Sequence, residues 1–187
     1  KHPYLNSEKF KILYSGNIGA KQDWSFFFKV LDQLKSLNDV EVVIVGEGAE
    51  KEKILKGLRE YDFVKHFNLV PYEELPLLLS STDIHFLFQK SNVIDTVMPS
   101  KLLGMMASSK PSIVTGNKDS EVATVFKDSK AGFYYSDNSL EQVVECIKTL
   151  KSNKNLRDEL GRNAEDYVIK NYSKGNILDR FIVELEK

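Results

Sequence analysis

Apolar residues in this chain follow two alternating rhythms. Short runs rich in β-branched and aromatic residues at 10–15, 41–45, 64–67, 83–88, 112–115 and 131–134 are nearly continuous, which suits strands buried on both faces. Between them, apolar positions recur at helical spacing. Trp24, Phe27, Phe28, Leu31 and Leu34 mark a helix over 22–37. Further helices are predicted over 49–60, over 71–81, for two turns from Pro99, over 119–127 and over 140–150. Strands alternating with helices predict an α/β fold: a doubly wound, Rossmann-like parallel sheet of about six strands with right-handed crossovers.

The C-terminal part changes character. Residues 153–170 form a charged amphipathic pattern with Leu156, Leu160, Ala164, Tyr167 and Val168 on one side. Ser173 suits the N-cap of a last helix over 177–185. This divides the chain into a Rossmann-like domain at 1–152 and C-terminal helices at 153–187, which pack on it or reach toward a domain missing from the sequence. Beginning at Lys1 rather than Met, the chain reads as a piece of something longer.

Sheets of this kind bind ligands beyond the carboxyl ends of their strands, where strand order reverses. The loops after Ser15, Val45 and Phe88 all follow strands and share that edge, and the first two carry Gly16-Asn17-Ile18-Gly19 and Gly46-Glu47-Gly48. The most informative stretch runs from Met98 to Pro111 and reads as a loop, a helix opened near Pro99, and a stop before the strand at 112–115. Proline at a helix start sacrifices no hydrogen bond, because the first N–H groups have no intrahelical partner. Those N–H groups and the helix dipole put partial positive charge there. Lys101 adds a full cation in that first turn. Such an end suits an anion, most often a phosphate; the alternative is that Lys101 points into water.

Composition narrows the partners. Net charge is −1, which leaves no bulk electrostatic hold on nucleic acid. The single cysteine, Cys146, allows neither an internal disulfide nor a cysteine zinc site. His2, His66 and His85 show no metal spacing, so no metal is expected, and His85 falls mid-strand, where a core role is expected. No apolar run approaches the roughly 20 residues of a membrane span, and no signal peptide is visible.

Four segments together resemble the C-terminal, donor-binding domain of GT-B glycosyltransferases of the retaining family four. The stretch Tyr14 to Gln22 resembles the family's first strand and glycine loop, and Val43-Ile44-Val45-Gly46-Glu47-Gly48 its second. The stretch Asn68 to Pro76 resembles the loop and helix beside the nucleotide base, and Met98 to Pro111 the signature helix. The resemblance covers nearly the whole chain. It is greatest to the subgroup of colanic-acid and O-antigen enzymes that includes N-acetyl-L-fucosaminyltransferases.

The resemblance implies a nucleotide-sugar donor, a UDP-sugar, with no cofactor. Gly16, Gly19 and Gly46 would let backbone approach the diphosphate, and Ser100 and Lys101, with Pro99 before them, would stabilise it as it leaves. The family's loop usually grips the diphosphate with an Arg and a Lys. Here Asn17 stands at the first position and Gln22 at the second, with Lys21 beside it, so Lys21 or Lys101 must carry the charge. Leu69 and Val70 would lie against the base. The family's two glutamates, eight residues apart, are Thr96 and Gly104 here. Either Gly104 makes room for the ribose or it permits close helix packing; Asp95 and Glu121 are candidate replacement carboxylates. Catalytic residues are expected in the missing N-terminal domain. That domain would also contact a polyprenyl-linked saccharide acceptor, in the cytoplasm at the inner face of the membrane, with peripheral membrane association confined to the full-length protein. Two alternatives stay open: a UDP-sugar epimerase-type GT-B enzyme, and a degenerate, non-catalytic nucleotide-sugar binding module.

Overall fold

The computed structural model describes residues 1–93, 100–136 and 139–172. Six strands, β1 (Phe10–Ser15), β2 (Val40–Val45), β3 (Val64–Phe67), β4 (Ile84–Phe88), β5 (Ser112–Thr115) and β6 (Gly132–Tyr135), alternate with helices. The helices are α1 (Trp24–Leu34), α2 (Lys51–Leu58), α3 (Leu75–Ser80), α4 (Ser100–Ala107), α5 (Glu121–Ser129), α6 (Leu140–Ser152) and α7 (Lys154–Tyr172). Every strand pairing is parallel, in the order β3-β2-β1-β4-β5-β6. The order therefore reverses between β1 and β4, and their carboxyl ends flank the crevice where such sheets hold ligands. This is the α/β, Rossmann-like arrangement expected from the alternation.

Burial on both faces explains the continuous apolar runs. Ile12 and Tyr14 of β1 join α1 in one core, while Leu13, Val43 and Val45 pack with Leu78 and Leu79 of α3 in another. An aromatic cluster fills the first core directly beneath the end of β1. Phe27 stacks on Phe88 with ring centroids 4.4 Å apart, and Tyr14 and Trp24 meet edge to face at 5.4 Å. Such pairs add to the large area each ring removes from water.

The differences from the expected boundaries have local causes. The first helix starts at Trp24, not residue 22, because the Asp23 carboxylate caps it by accepting the Phe26 N–H at 3.0 Å, while Gln22 bridges to Gln89. The segment at 71–81 splits into a 3₁₀ turn at Tyr72–Glu74 and then α3, with Pro76 in the first turn, where a missing N–H does no harm. A 3₁₀ turn at Pro3–Leu5 gave no periodic signal, being three residues long. The last strand is shifted by one residue. Gly132 adopts φ +154° there, and a β-carbon on it would lie 1.9 Å from the Ser112 carbonyl oxygen. The helix expected at 177–185 and its cap Ser173 lie outside the described residues. The helix α7 lies against the turn that follows α4: a β-carbon on Gly161 would come within 2.2 Å of the Ser109 carbonyl oxygen.

Phe27 is 1% exposed, so Phe27→Ala is expected to lower unfolding free energy by about 3–5 kcal/mol. Leu77→Ala, at a position 48% exposed, should stay within about 0.5 kcal/mol of the parent. Urea denaturation of the two variants side by side checks both values.

Candidate functional site

Two glycine loops meet backbone to backbone at the switch point. Gly16, just past β1, adopts φ +137°, a conformation that L side chains rarely take. Its N–H donates to the Val45 carbonyl at 2.9 Å. A β-carbon on Gly46 would sit 2.0 Å from the Gly16 carbonyl oxygen, so only glycine lets the two loops touch. The loop after Gly16 is tied down at each step. The Ile18 N–H donates to the Glu47 carbonyl at 2.7 Å, and the Tyr14 hydroxyl donates to the Asn17 carbonyl at 2.6 Å. The Gly19 N–H donates to Gln22 Oε1 at 3.2 Å, and Trp24 Nε1 donates to the Gly19 carbonyl at 3.1 Å.

Lys101, in the first turn of α4, lies across this loop. Its Nζ sits 4.7 Å from the centroid of the Tyr14 ring and 3.4 Å from the Tyr14 hydroxyl. Its Cε occupies the space above Gly16, 2.3 Å from where a β-carbon would be. Burial lowers the Lys101 pKa to about 8. Burial also moves the Tyr14 hydroxyl well above its ordinary value, so the phenol stays neutral. Among the described residues no carboxylate pairs with Lys101. With only a ring face and a hydroxyl for company among the described residues, this half-buried ammonium is poised for an anion.

The cleft beside Lys101 has a volume of about 580 Å³. Ser15, Gly16, Ser100 and Lys101 make a polar end, and Val45, Leu69, Val70, Tyr72, Leu75 and Leu79 supply apolar wall. Gly104 lies between them, one turn along α4 from Ser100. A β-carbon there would meet only Leu79 Cδ1, at 3.4 Å. That is ordinary contact, so helix packing does not require the glycine, and its effect is to leave the cleft open. A larger depression, about 630 Å³, lies around Phe10, Lys11, Asp83 and Arg157. It sits at the starts of the strands, away from the switch point, and its Lys11 is already paired with Asp83 at 3.3 Å. Size therefore does not identify the site; strand order and the Lys101 ammonium do.

The structure brings Gly16, Leu69, Val70, Ser100, Lys101 and Gly104 together around this cleft. Five other expected ligands do not line it. Gln22 is buried and turned inward to hold the Gly19 amide, which corrects its reading as a diphosphate ligand. Gly19 is buried as the other half of that contact, and Gly46 supports Gly16. Asn17 is exposed with its side chain folded toward Gly19 and Gly48. Lys21 is exposed on the loop, its carbonyl accepting the Lys90 N–H at 3.0 Å. Of the two lysines, Lys101 is the one in the cleft. Glu121 is exposed on α5 and does not line the cleft. Thr96, Pro99 and Asp95 lie outside the described residues.

Sequence reasoning missed Ser15, Tyr72, Leu75 and Leu79 as lining residues and Tyr14 as the platform under Lys101. An aromatic inside a buried strand carries no signal separating core filler from platform. His85 is fully buried, with Nε2 2.9 Å from Ser108 Oγ, and burial lowers its pKa to about 3. It is a core histidine with no access to the cleft. Among the described residues no group of three or more His, Cys, Asp or Glu is placed to hold a metal ion, and no helix is long and apolar enough to cross a membrane.

Over residues 2–167 the chain matches the family described as "Glycosyl transferases group 1". It is 30% identical, over 187 residues, to the Escherichia coli (strain K12) protein named "Putative colanic acid biosynthesis glycosyl transferase WcaI". That match covers 97% of this chain and 44% of the relative, so the chain spans less than half the relative's length. Among solved structures, it resembles the C-terminal domain of LpcC, a glycosyl transferase group 1 family protein from Francisella tularensis. There the TM-score is 0.71 at 21% identity, with 88% of this chain and 87% of that one covered. It also resembles a mutant of S. aureus TarM in complex with fondaparinux, α-GlcNAc-glycerol and UDP (TM-score 0.75, 18% identity, 94% of this chain, 36% of that one). Anabaena Alr3699/HepE in complex with UDP-glucose gives a TM-score of 0.72 at 15% identity, covering 96% of this chain and 49% of that one. At these identities the likeness concerns the fold, that of GT-B glycosyltransferases.

The depressed Lys101 pKa carries a sign for stability. Below pH 8 the lysine is charged in both folded and unfolded chains. Between about 8 and its ordinary value of 10.5, the folded chain has released the proton and the unfolded chain still holds it. Stability contributed by this group therefore rises with pH across that window. Chemical denaturation at pH 8 and pH 10 should show the parent gaining on Lys101→Met by on the order of 2 kcal/mol.

Proposed function

Because this chain belongs to the group 1 glycosyl transferases, we propose that it is the donor-binding half of a retaining enzyme that takes a sugar from a UDP-sugar. The observation that carries this reading is the Lys101 ammonium, held half-buried over Gly16 at the start of α4 without a carboxylate partner among the described residues. A diphosphate placed there receives the ammonium, the Ser100 hydroxyl and the free N–H groups of the helix start. The base then lies along Leu69, Val70 and Tyr72, and the ribose passes Gly104. When the sugar–oxygen bond breaks, negative charge grows on the departing diphosphate. Groups already aimed at that charge and shielded from water lower the barrier most. Lys101 is such a group, since the ring of Tyr14 and the backbone of Gly16 leave it little freedom to reorganise.

In this reading residues 1–152 form the donor domain, α7 (Lys154–Tyr172) braces it, and an N-terminal domain of the whole protein binds the acceptor. The name of the E. coli relative supports an exopolysaccharide setting; an O-antigen or capsule setting, and N-acetyl-L-fucosamine as the transferred sugar, rest on the sequence resemblance alone. The acceptor is then a polyprenyl-linked saccharide at the cytoplasmic face of the membrane. UDP in the TarM complex and UDP-glucose in the HepE complex support a uridine donor. Burial of His85 away from the cleft disfavours an epimerase that would need a histidine there. Gly104 keeps the non-catalytic alternative in play, because a degenerate site would hold nucleotide weakly.

Isothermal titration with UDP tests the reading. Binding is expected for the parent chain, and Lys101→Met should weaken it by about tenfold to a hundredfold, the scale of a charge-assisted hydrogen bond. The parent's affinity should fall as pH rises through about 8, where free Lys101 loses its proton. Absence of binding at millimolar UDP would refute the nucleotide reading. With donor and acceptor supplied, the 187-residue chain alone is expected to give no transfer; product formation would show that it holds the full catalytic apparatus.

A further inference from the structure

The apolar wall of the cleft comes mostly from one short segment. Leu69, Val70, Tyr72, Leu75 and Leu79 all lie within 67–81, and residues 68–71 belong to no strand or helix. Leu69 and Tyr72 stand 58% and 83% exposed, so burial within the chain does little to hold them where they are. A wall on irregular backbone takes its position from what the segment is fastened to. One fastening is the Lys51 ammonium, which donates to Asn68 Oδ1 at 3.1 Å.

Three more come from the start of the chain. The Tyr4 ring stacks on Phe67, the last residue of β3, with centroids 4.0 Å apart and planes 5° from parallel. His2 is buried, and a buried polar side chain calls for partners. Its Nδ1 accepts the Tyr4 N–H at 3.2 Å, which leaves Nε2 as the nitrogen that carries the proton. Nε2 donates to Glu74 Oε2 at 3.2 Å, in the 3₁₀ turn that also holds Tyr72. The His2 N–H donates to Ser81 Oγ at 2.8 Å, just past α3. Leu5 completes the anchor: it is fully buried in the small core with Leu78 and Leu79, against which Tyr4, Phe67, Val70 and Leu75 pack.

We propose that Tyr4 and His2 are positioning residues for the nucleotide base, bracing the wall of Leu69, Val70 and Tyr72 against which the base lies. The proposal rests on the nucleotide reading above and adds the residues that hold its base end in place. Neither side chain lines the cleft; Tyr4 acts through Phe67, and His2 through Glu74 and Ser81. Fixing the wall before the ligand arrives removes freedom that binding would otherwise have to remove. The polar end stands elsewhere, on the loop after β1 and the first turn of α4. The brace therefore acts on the base and leaves the hold on the phosphates unchanged, a separation that a purely stabilising role would not produce.

Calorimetric titration with UDP and with inorganic pyrophosphate tests this on the parent, Tyr4→Phe, Tyr4→Ala, Glu74→Ala and Ile147→Val. Tyr4→Ala should weaken UDP binding by about tenfold and leave pyrophosphate within about twofold of the parent. Tyr4→Phe keeps the stacked ring and should bind both ligands as the parent does. Glu74 is half exposed, so Glu74→Ala folds normally, and it should weaken UDP by about threefold through the lost His2 bond. Ile147→Val, in the core on α6, should lower the melting temperature and change neither affinity. UDP affinity unchanged in both Tyr4→Ala and Glu74→Ala, or weakened equally with that for pyrophosphate, would overturn the brace while leaving the nucleotide site intact. Failure of the parent to bind UDP at all would overturn the nucleotide reading and this inference with it.

Discussion

Everything at this site depends on one contact: the Lys101 side chain lying in the space that a side chain on Gly16 would otherwise fill. Gly16 is free to turn at φ +137° only because it is glycine, and the turn is fixed because Gly46 presses against its carbonyl. The Tyr14 ring beneath is held in turn by Trp24 and Phe88, so the platform is rigid down to the core. A buried cation without a carboxylate costs desolvation energy. Here that cost appears as a pKa lowered to about 8, and an arriving diphosphate offsets it. Fold stability and anion affinity are thus opposed at one residue, as is common where sites hold groups their surroundings do not satisfy.

The sheet was legible because its chemistry is nearly one-dimensional. Strands buried on both faces must be apolar throughout, and β1, β3 and β5 fell within the residues read from the sequence alone. Two boundaries that moved have visible local features: the Asp23 side chain caps α1 at Trp24, and Gly132, at a positive φ, lies against the Ser112 backbone at the start of β6. The glycine loops were legible for the same reason as the strands, since close backbone approach and left-handed turns restrict the residue type.

Site roles were less legible where one residue type serves two ends. Gln22, a polar residue in a glycine loop, reads as a ligand, yet the buried Gly19 amide needs an acceptor and takes it. Tyr14 reads as core because a strand tyrosine gives no clue that a lysine from α4, far along the chain, will rest on its face. Gly104 was read as either space or packing, and only the distance to Leu79 decides for space.

The central claim is that Lys101 is a desolvated cation waiting for the diphosphate. The most direct measurement is an NMR pH titration of its side-chain ε carbon, assigned by comparison with Lys101→Met, with and without saturating UDP. In the free chain the resonance should titrate near pH 8, against an ordinary value of 10.5. With UDP bound, the titration should move upward by a unit or more, since a nearby anion favours the charged form. A Lys101 resonance that titrates at its ordinary value, or one that UDP leaves unmoved while resonances elsewhere shift, would contradict the account.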